Sequence, residues 1–400
     1  MYHLNMKRKP AAQTKMPKEV WTLGIVSMLM DVSSEMIFSL LPLFMTATLG
    51  MGALAVGVIE GAAQATALIV KVFSGLLSDM FGKRKTLAVT GYALAALTKP
   101  VFALASGAGI IFTARIVDRM GKGIRGAPRD ALIADITPKE IRGAAFGLRQ
   151  ALDTVGAFAG PLLGSLFMVL LANNFRRVFW IAVIPAAAAV FLLAFGVNEP
   201  ENKNVKTEGL PISAENLKKL GKSYWLIVAV GGLFGLARFS EAFLVLRARS
   251  LGVPLAAVPM IVVFMNIVYA LAAYPFGRLA DKMRRGILLA FGMVVLLGAN
   301  LLLARAGGVA MLLCGIFLWG LHLGVTEGLM AVMVADSAAA DMKGTAFGFF
   351  NLVSGVAVLL ASVAAGFLWQ TKGAPATFYF GAAFSALTLL SVLPARKYLR

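Results

Sequence analysis

The chain reads as an all-α membrane protein, with twelve transmembrane helices in two six-helix bundles, and three observations predict this. Of its 400 residues 59% are hydrophobic and 14% are charged, whereas a soluble domain carries about 25% charged residues. The apolar residues gather into twelve stretches, each long enough for a bilayer span of about 20 residues. Short motifs of the first six stretches return in the last six, in the same order. Open sheet edges have no place in lipid, and the stretches are too long and too evenly apolar for barrel strands, so each is a helix.

The spans lie near 21–48, 52–78, 86–106, 109–134, 144–171 and 178–196, then near 224–248, 255–280, 286–304, 308–334, 345–369 and 376–394. Between the sixth and seventh the sequence turns polar. The chain therefore divides into a tail (1–20), a bundle (21–197), a linker (198–223) and a second bundle with a short tail (224–400). The basic start is not followed by a short apolar region with a small-residue cleavage site, so no cleaved signal peptide is expected.

The formal net charge of +19 would suggest nucleic acid in a soluble chain, but its placement fits a membrane. With the N-terminus inside, 22 Lys and Arg fall in cytoplasmic segments and 6 in the opposite loops and helix ends. That asymmetry puts both termini in the cytoplasm. The partners expected are the bilayer and a small solute, not nucleic acid. The one cysteine, Cys314, excludes an intramolecular disulfide framework, and the two histidines, His3 and His322, cannot make a metal tract. No metal or other cofactor is expected.

The halves are related. Gly75-Leu-Leu-Ser-Asp79 returns as Gly277-Arg-Leu-Ala-Asp281. Ala134-Asp135 with Arg142-Gly-Ala-Ala-Phe-Gly147 returns as Ala335-Asp336 with Lys343-Gly-Thr-Ala-Phe-Gly348. Ser34-Glu35 in span one is matched to Ser240-Glu241 in span seven. A parallel repeat joined by a polar linker places a central site between two bundles.

On these motifs the chain resembles the major facilitator superfamily of secondary transporters over essentially its whole length. Gly75-Leu-Leu-Ser-Asp79-Met-Phe-Gly82-Lys-Arg84-Lys resembles that superfamily's cytoplasmic loop signature, with Met80 where a basic residue is usual. The second copy has Arg284 where the second glycine is usual. The resemblance implies that Asp79, with Gly75, Gly82, Arg84 and the second-copy Asp281, latches helices in one of two access states. Arg119-Met-Gly-Lys-Gly123 resembles the fourth-helix arginine motif associated with proton coupling. Gly156-Ala-Phe-Ala-Gly160-Pro161-Leu-Leu-Gly164 resembles the fifth-helix motif of exporters that exchange solute for protons; a glycine stripe for close helix packing reads the same residues equally. The segment from Asp118 to Pro161 resembles a largely uncharacterised bacterial subgroup, some of whose members are named for nickel resistance. The resemblance implies a multi-pass protein of the bacterial inner membrane, acting as a monomer, with protons as coupling ion.

Span four is the most informative stretch. At 100° per residue, Arg115, Asp118, Arg119, Lys122, Arg125, Arg129 and Asp130 fall within an arc of about 140°. Each charge facing lipid would cost about 2.5–3.5 kcal/mol, so the arc must line a watery cavity or a network of ion pairs. With five basic residues against two acidic, it favours an anionic or zwitterionic solute. Partners stand on other spans: Asp31 and Glu35 on span one, Glu60 on span two, Arg149 and Asp153 on span five, Arg238 and Glu241 on one face of span seven, and Glu327 on span ten. A membrane carboxylate beside an arginine can trade its proton for an ion pair, the elementary step of proton coupling. Glu35, Glu241 and Asp153 are the candidate proton carriers, with Arg119 as the charge that tunes them. A set of structural ion pairs is the alternative for any one of these residues.

Other classes fit less well. Gly221-Lys-Ser223 lacks the earlier glycine of a phosphate loop, with Asn216 in its place. No serine-nucleophile or metal-ligand motif supports a membrane enzyme, and charged residues in both halves fit alternating access better than an open pore. A metal or metal-chelate exporter of the same fold stays open.

Overall fold

The computed structural model describes residues 15–81, 83–198, 217, 219–280, 282–339 and 342–395, with side chains throughout these except at 75–81 and 393–395. Among the described residues twelve helical spans follow one another: α1 (Lys18–Thr48), α2 (Ala53–Phe81), α3 (Arg84–Leu104), α4 (Ala108–Ile136), α5 (Arg142–Leu170), α6 (Phe175–Gly196), α7 (Lys222–Ser250), α8 (Pro259–Ala280), α9 (Arg285–Arg305), α10 (Val309–Ser337), α11 (Lys343–Lys372) and α12 (Ala374–Ala395). Their limits lie within about a turn of helix of those read from the sequence. Eleven contain a window apolar enough to cross a membrane by composition; α4, charged from Arg115 to Asp135, does not. Phe195, Leu271 and Leu97 are 82%, 72% and 69% exposed on outer helix faces. Large apolar side chains are stable there when lipid, not water, surrounds them.

The repeat is exact in helix length for the third and fourth helices of each half. Arg84–Leu104 returns as Arg285–Arg305, and Ala108–Ile136 as Val309–Ser337, each 201 residues later. The turns α1–α2 and α7–α8 hold Gly50 and Gly252 at φ +64° and +85°, a left-handed conformation that glycine adopts without a Cβ penalty. In each half one arginine covers the free carbonyls that end the third helix. Arg176 donates to the carbonyls of Ala103 (2.9 Å) and Ala105 (2.8 Å). Arg247 donates to those of Leu303 (3.0 Å) and Ala306 (2.7 Å).

The first helix of each half is interrupted. In α1 the regular helix ends at Phe38 and resumes as Leu41–Leu43 and a π turn, Phe44–Thr48. In α7 it stops at Ala237 and resumes at Ala242. Serines cover backbone groups at both breaks. The Ser39 hydroxyl donates to the Glu35 carbonyl (2.7 Å), and the Ser240 amide donates to the Ser362 hydroxyl (3.1 Å). The register of the halves thus sets Ser39 against Ser240. The sequence match of Ser34-Glu35 to Ser240-Glu241 is corrected accordingly: Leu40, not Glu35, holds the repeat position of Glu241. Nor do Arg238 and Glu241 share a helical face, because the chain between them is not helical.

The bundles meet mainly along α2 with α11 and α5 with α8. At the end that carries the α1–α2 and α11–α12 turns the seam is shut. A Cβ on Gly366 would lie 2.5 Å from the Ala53 carbonyl, and one on Gly61 2.9 Å from the Ser362 Cβ. Asn266 on α8 donates to the Ala157 carbonyl (3.3 Å), and Ser165 to that of Ala256. Toward the other end Lys122 on α4 and Glu327 on α10 are exposed, so the space between the bundles opens there.

Candidate functional site

The charged face of α4 divides into two parts. One is locked inside the first bundle. Arg115 is 3% exposed and makes a two-pronged ion pair with Glu60 of α2, at 2.9 Å through Nε and 2.6 Å through Nη2. Asp118 takes a bond of 2.9 Å from Lys99 of α3, whose ammonium also donates to Ser34 (3.0 Å). The Phe38 ring lies under three cations: Arg115 at 3.6 Å, Arg119 at 4.6 Å and Lys99 at 4.9 Å from its centre. Buried charges are stable in such a setting because each meets an opposite charge or a ring face.

Lower on the helix Arg125 lies 3.6 Å from Asp31 of α1 and 4.6 Å from the Tyr92 ring centre. Arg129, Asp130, Arg149 and Asp153 form a four-membered cluster, with Arg149–Asp153 at 2.9 Å and Arg129–Asp130 at 3.1 Å. These seven residues (Arg115, Asp118, Arg125, Arg129, Asp130, Arg149, Asp153) are thus matched within the bundle.

The second part faces the seam. Arg119 keeps a long contact with Asp118, 3.7 Å, and its buried Nε has no hydrogen-bond partner. Lys122 is exposed and makes no ion pair within 4.0 Å among the described residues. Glu35 on α1 likewise has no ion-pair partner among the described residues; the charges acting on it are Lys122, Arg119, Asp31 and Arg115. Glu241, at the break of α7, likewise has no ion-pair partner among the described residues. The charges acting on it are Arg238 and Glu327 from its own half and Glu35 and Arg119 from the other. Arg238 holds Glu327 at 3.4 Å. Glu35, Arg119, Lys122, Arg238, Glu241 and Glu327 therefore share one space between the bundles.

The two halves build different cores at the same repeat positions. Phe38, Lys99 and Asp118 in the first correspond, 201 residues on, to Phe239, Asn300 and Trp319 in the second. Where the first half has an ion pair under a ring, the second has an aromatic stack: Phe239 meets Trp319 (5.4 Å), Phe243 (5.6 Å) and Phe378 (5.6 Å). Lys99 and Phe38 were missed as site residues. The signal for Lys99 was a lone lysine in an apolar span, which the cost of an unpaired charge in lipid makes notable.

Of the residues in the loop signature and the glycine motif, Gly156 and Gly160 pack against α1. Cβ atoms there would lie 2.7 Å from the Met28 carbonyl and 2.6 Å from the Glu35 Cβ. Pro161 is buried inside α5. Arg84 pairs with Asp135, and its repeat mate Arg285 pairs with Asp336 (2.5 Å). Gly75 and Asp79 lie in α2, with side chains outside the described residues; Gly82 and Asp281 lie outside the described residues altogether. Among the described residues no group of three or more His, Cys, Asp or Glu gathers as a metal site.

Comparison with known proteins agrees with this geometry. The model of the Major Facilitator Superfamily matches residues 23–264 and 240–399. An uncharacterised MFS-type transporter of Methanocaldococcus jannaschii is 32% identical, with 97% of this chain and 98% of that protein aligned. Multidrug resistance protein MdtH of Photorhabdus laumondii is 35% identical over 40% of this chain and 37% of its own length. A variant of the nucleoside transporter NupG has the same fold, with a TM-score of 0.80, 14% identity, and 94% of this chain and 99% of that one covered.

Proposed function

The chain belongs to the major facilitator superfamily, and on that premise we propose that it exports a small solute across the bacterial inner membrane in exchange for protons. It is a membrane transporter and not an enzyme. The observation that carries the proton reading is the pair of carboxylates, Glu35 and Glu241, that stand in the seam without an ion-pair partner while Arg119 acts on both. Bringing the bundles together squeezes water from that space, and like charges cost more there than in water. A proton taken up by either carboxylate removes one charge and favours closure. Its release to water restores a carboxylate that pairs with Arg119 or Lys122, and this favours opening. Asp153, held at 2.9 Å by Arg149, is a weaker candidate because its charge is already matched.

The direction of transport rests on two supports: the exporter-like glycine motif of α5 and the name of the partly matching multidrug resistance relative. The split of basic residues supports cytoplasmic termini and a cytoplasmic linker at 198–223. The space between the bundles then opens to the cytoplasm, where an exporter collects its cargo. Asp79 serves as a latch on the cytoplasmic side, and one chain suffices for transport.

The test uses everted membrane vesicles from cells that overproduce the chain and from cells that lack it. Each is acidified inside by respiration and challenged with a panel of toxic organic solutes and metals. A solute that collapses the pH difference only where the chain is present supports proton-coupled export. A solute that accumulates with a sodium gradient alone, while an uncoupler is present, refutes the proton assignment.

A further inference from the structure

We propose that the solute is a zwitterion whose anionic group binds Arg119 and Lys122 of the first bundle and whose cationic group binds Glu241 and Glu327 of the second. This deepens the transport reading and rests on it. Most charges are held inside the first bundle: Glu60 pairs with Arg115 at 2.6 Å, Lys99 with Asp118 at 2.9 Å, and Arg125 lies over the Tyr92 ring with Asp31 at 3.6 Å. What remains on the first bundle's face of the seam is Arg119 and Lys122 against Glu35. What remains on the second is Glu241 and Glu327 against Arg238. One wall of the space is thus cationic by one charge and the other anionic by one, and the walls belong to different halves.

The geometry points the same way on each wall. The Arg119 side chain is 11% exposed, and among the described residues its Nε is buried without a hydrogen-bond partner and its one ion-pair contact, with Asp118, is 3.7 Å. Asp118 is already taken at 2.9 Å by Lys99. A planar guanidinium so placed presents donors to a carboxylate or phosphate. On the other wall Arg238 lies 3.4 Å from Glu327, and the Glu327 side chain is still 48% exposed. Glu241 has no ion-pair partner, which leaves it open to an ammonium group. A solute with one sign of charge would satisfy one wall and leave the other unanswered. A zwitterion satisfies both and draws the halves together. Because proton and ammonium compete for Glu241, the same contact gives exchange of one for the other.

The experiment is equilibrium binding by purified protein in detergent at neutral pH and low salt. The probes are a ladder of ω-amino acids from glycine to 6-aminohexanoate, each with the alkylamine and the carboxylate of the same length. Thermal shift and calorimetry read the affinity. At one chain length the zwitterion should bind at least about tenfold more tightly than either singly charged partner. Arg119→Gln should reduce its affinity to that of the amine, and Glu241→Gln to that of the carboxylate. The inference is overturned if an amine or carboxylate binds as tightly as the zwitterion of its length, or if no zwitterion of the ladder binds. Since no gradient is present, a protein that binds the ladder but fails to exchange protons contradicts the coupling scheme and leaves this inference standing.

Discussion

Gly160 of α5 lies directly against Glu35 of α1. A Cβ added to the glycine would sit 2.6 Å from the Cβ of the glutamate and 2.9 Å from the Val32 carbonyl. The glycine motif and the seam carboxylate are therefore one arrangement: the motif lets α5 approach closely enough to set the position of Glu35. Gly160→Ala should force α1 and α5 apart at a cost of about 1–3 kcal/mol and reduce transport. Gly164→Ala, where the nearest atom is 3.3 Å away, should cost less. Melting temperature and transport rate of the two variants check the order.

The Arg115–Glu60 pair holds α4 to α2 in a dry setting, with both residues under 5% exposed. Glu60→Gln should destabilise by about 3–5 kcal/mol, because it leaves the arginine charge unmatched. Arg115→Met combined with Glu60→Leu should recover most of that loss. Unfolding in detergent measures both. Equal stability of Glu60→Gln and the parent would show that the pair carries no structural weight.

Arg247 closes the end of α9 with a fork that lysine cannot reproduce. Arg247→Lys should lose one or two carbonyl bonds and about 1–3 kcal/mol, while transport by the folded fraction persists. An unchanged melting temperature would contradict the cap.

Much of this was legible in the sequence, for physical reasons. Helices in lipid must be long and apolar, so the spans could be counted. Charges in lipid are costly, so the arc on α4 had to face inward. The division of that arc could not be read, because it depends on which neighbour stands opposite: Lys99, not Arg119, takes Asp118. The breaks at Ser39 and Arg238–Glu241 were equally hidden. Pro42, which cannot donate to the Phe38 carbonyl, marks the first, but prolines also stand inside the unbroken α3, α4, α5 and α6; the second carries none, and its Ser240 amide is met by the Ser362 hydroxyl. Without the breaks the register of the halves slips, which is why Glu35 was matched to Glu241.

The central claim is that Glu35 and Glu241 carry the proton that drives transport. The most direct measurement is on purified protein in liposomes, with each glutamate replaced by glutamine, comparing accumulation in a pH gradient with exchange of labelled solute at equal concentrations. The expected result is that Glu35→Gln abolishes gradient-driven accumulation and preserves exchange, which needs no proton release, whereas Glu241→Gln abolishes accumulation and also weakens exchange, because it removes a solute contact. Variants that fold and still accumulate solute at the parent rate would contradict it.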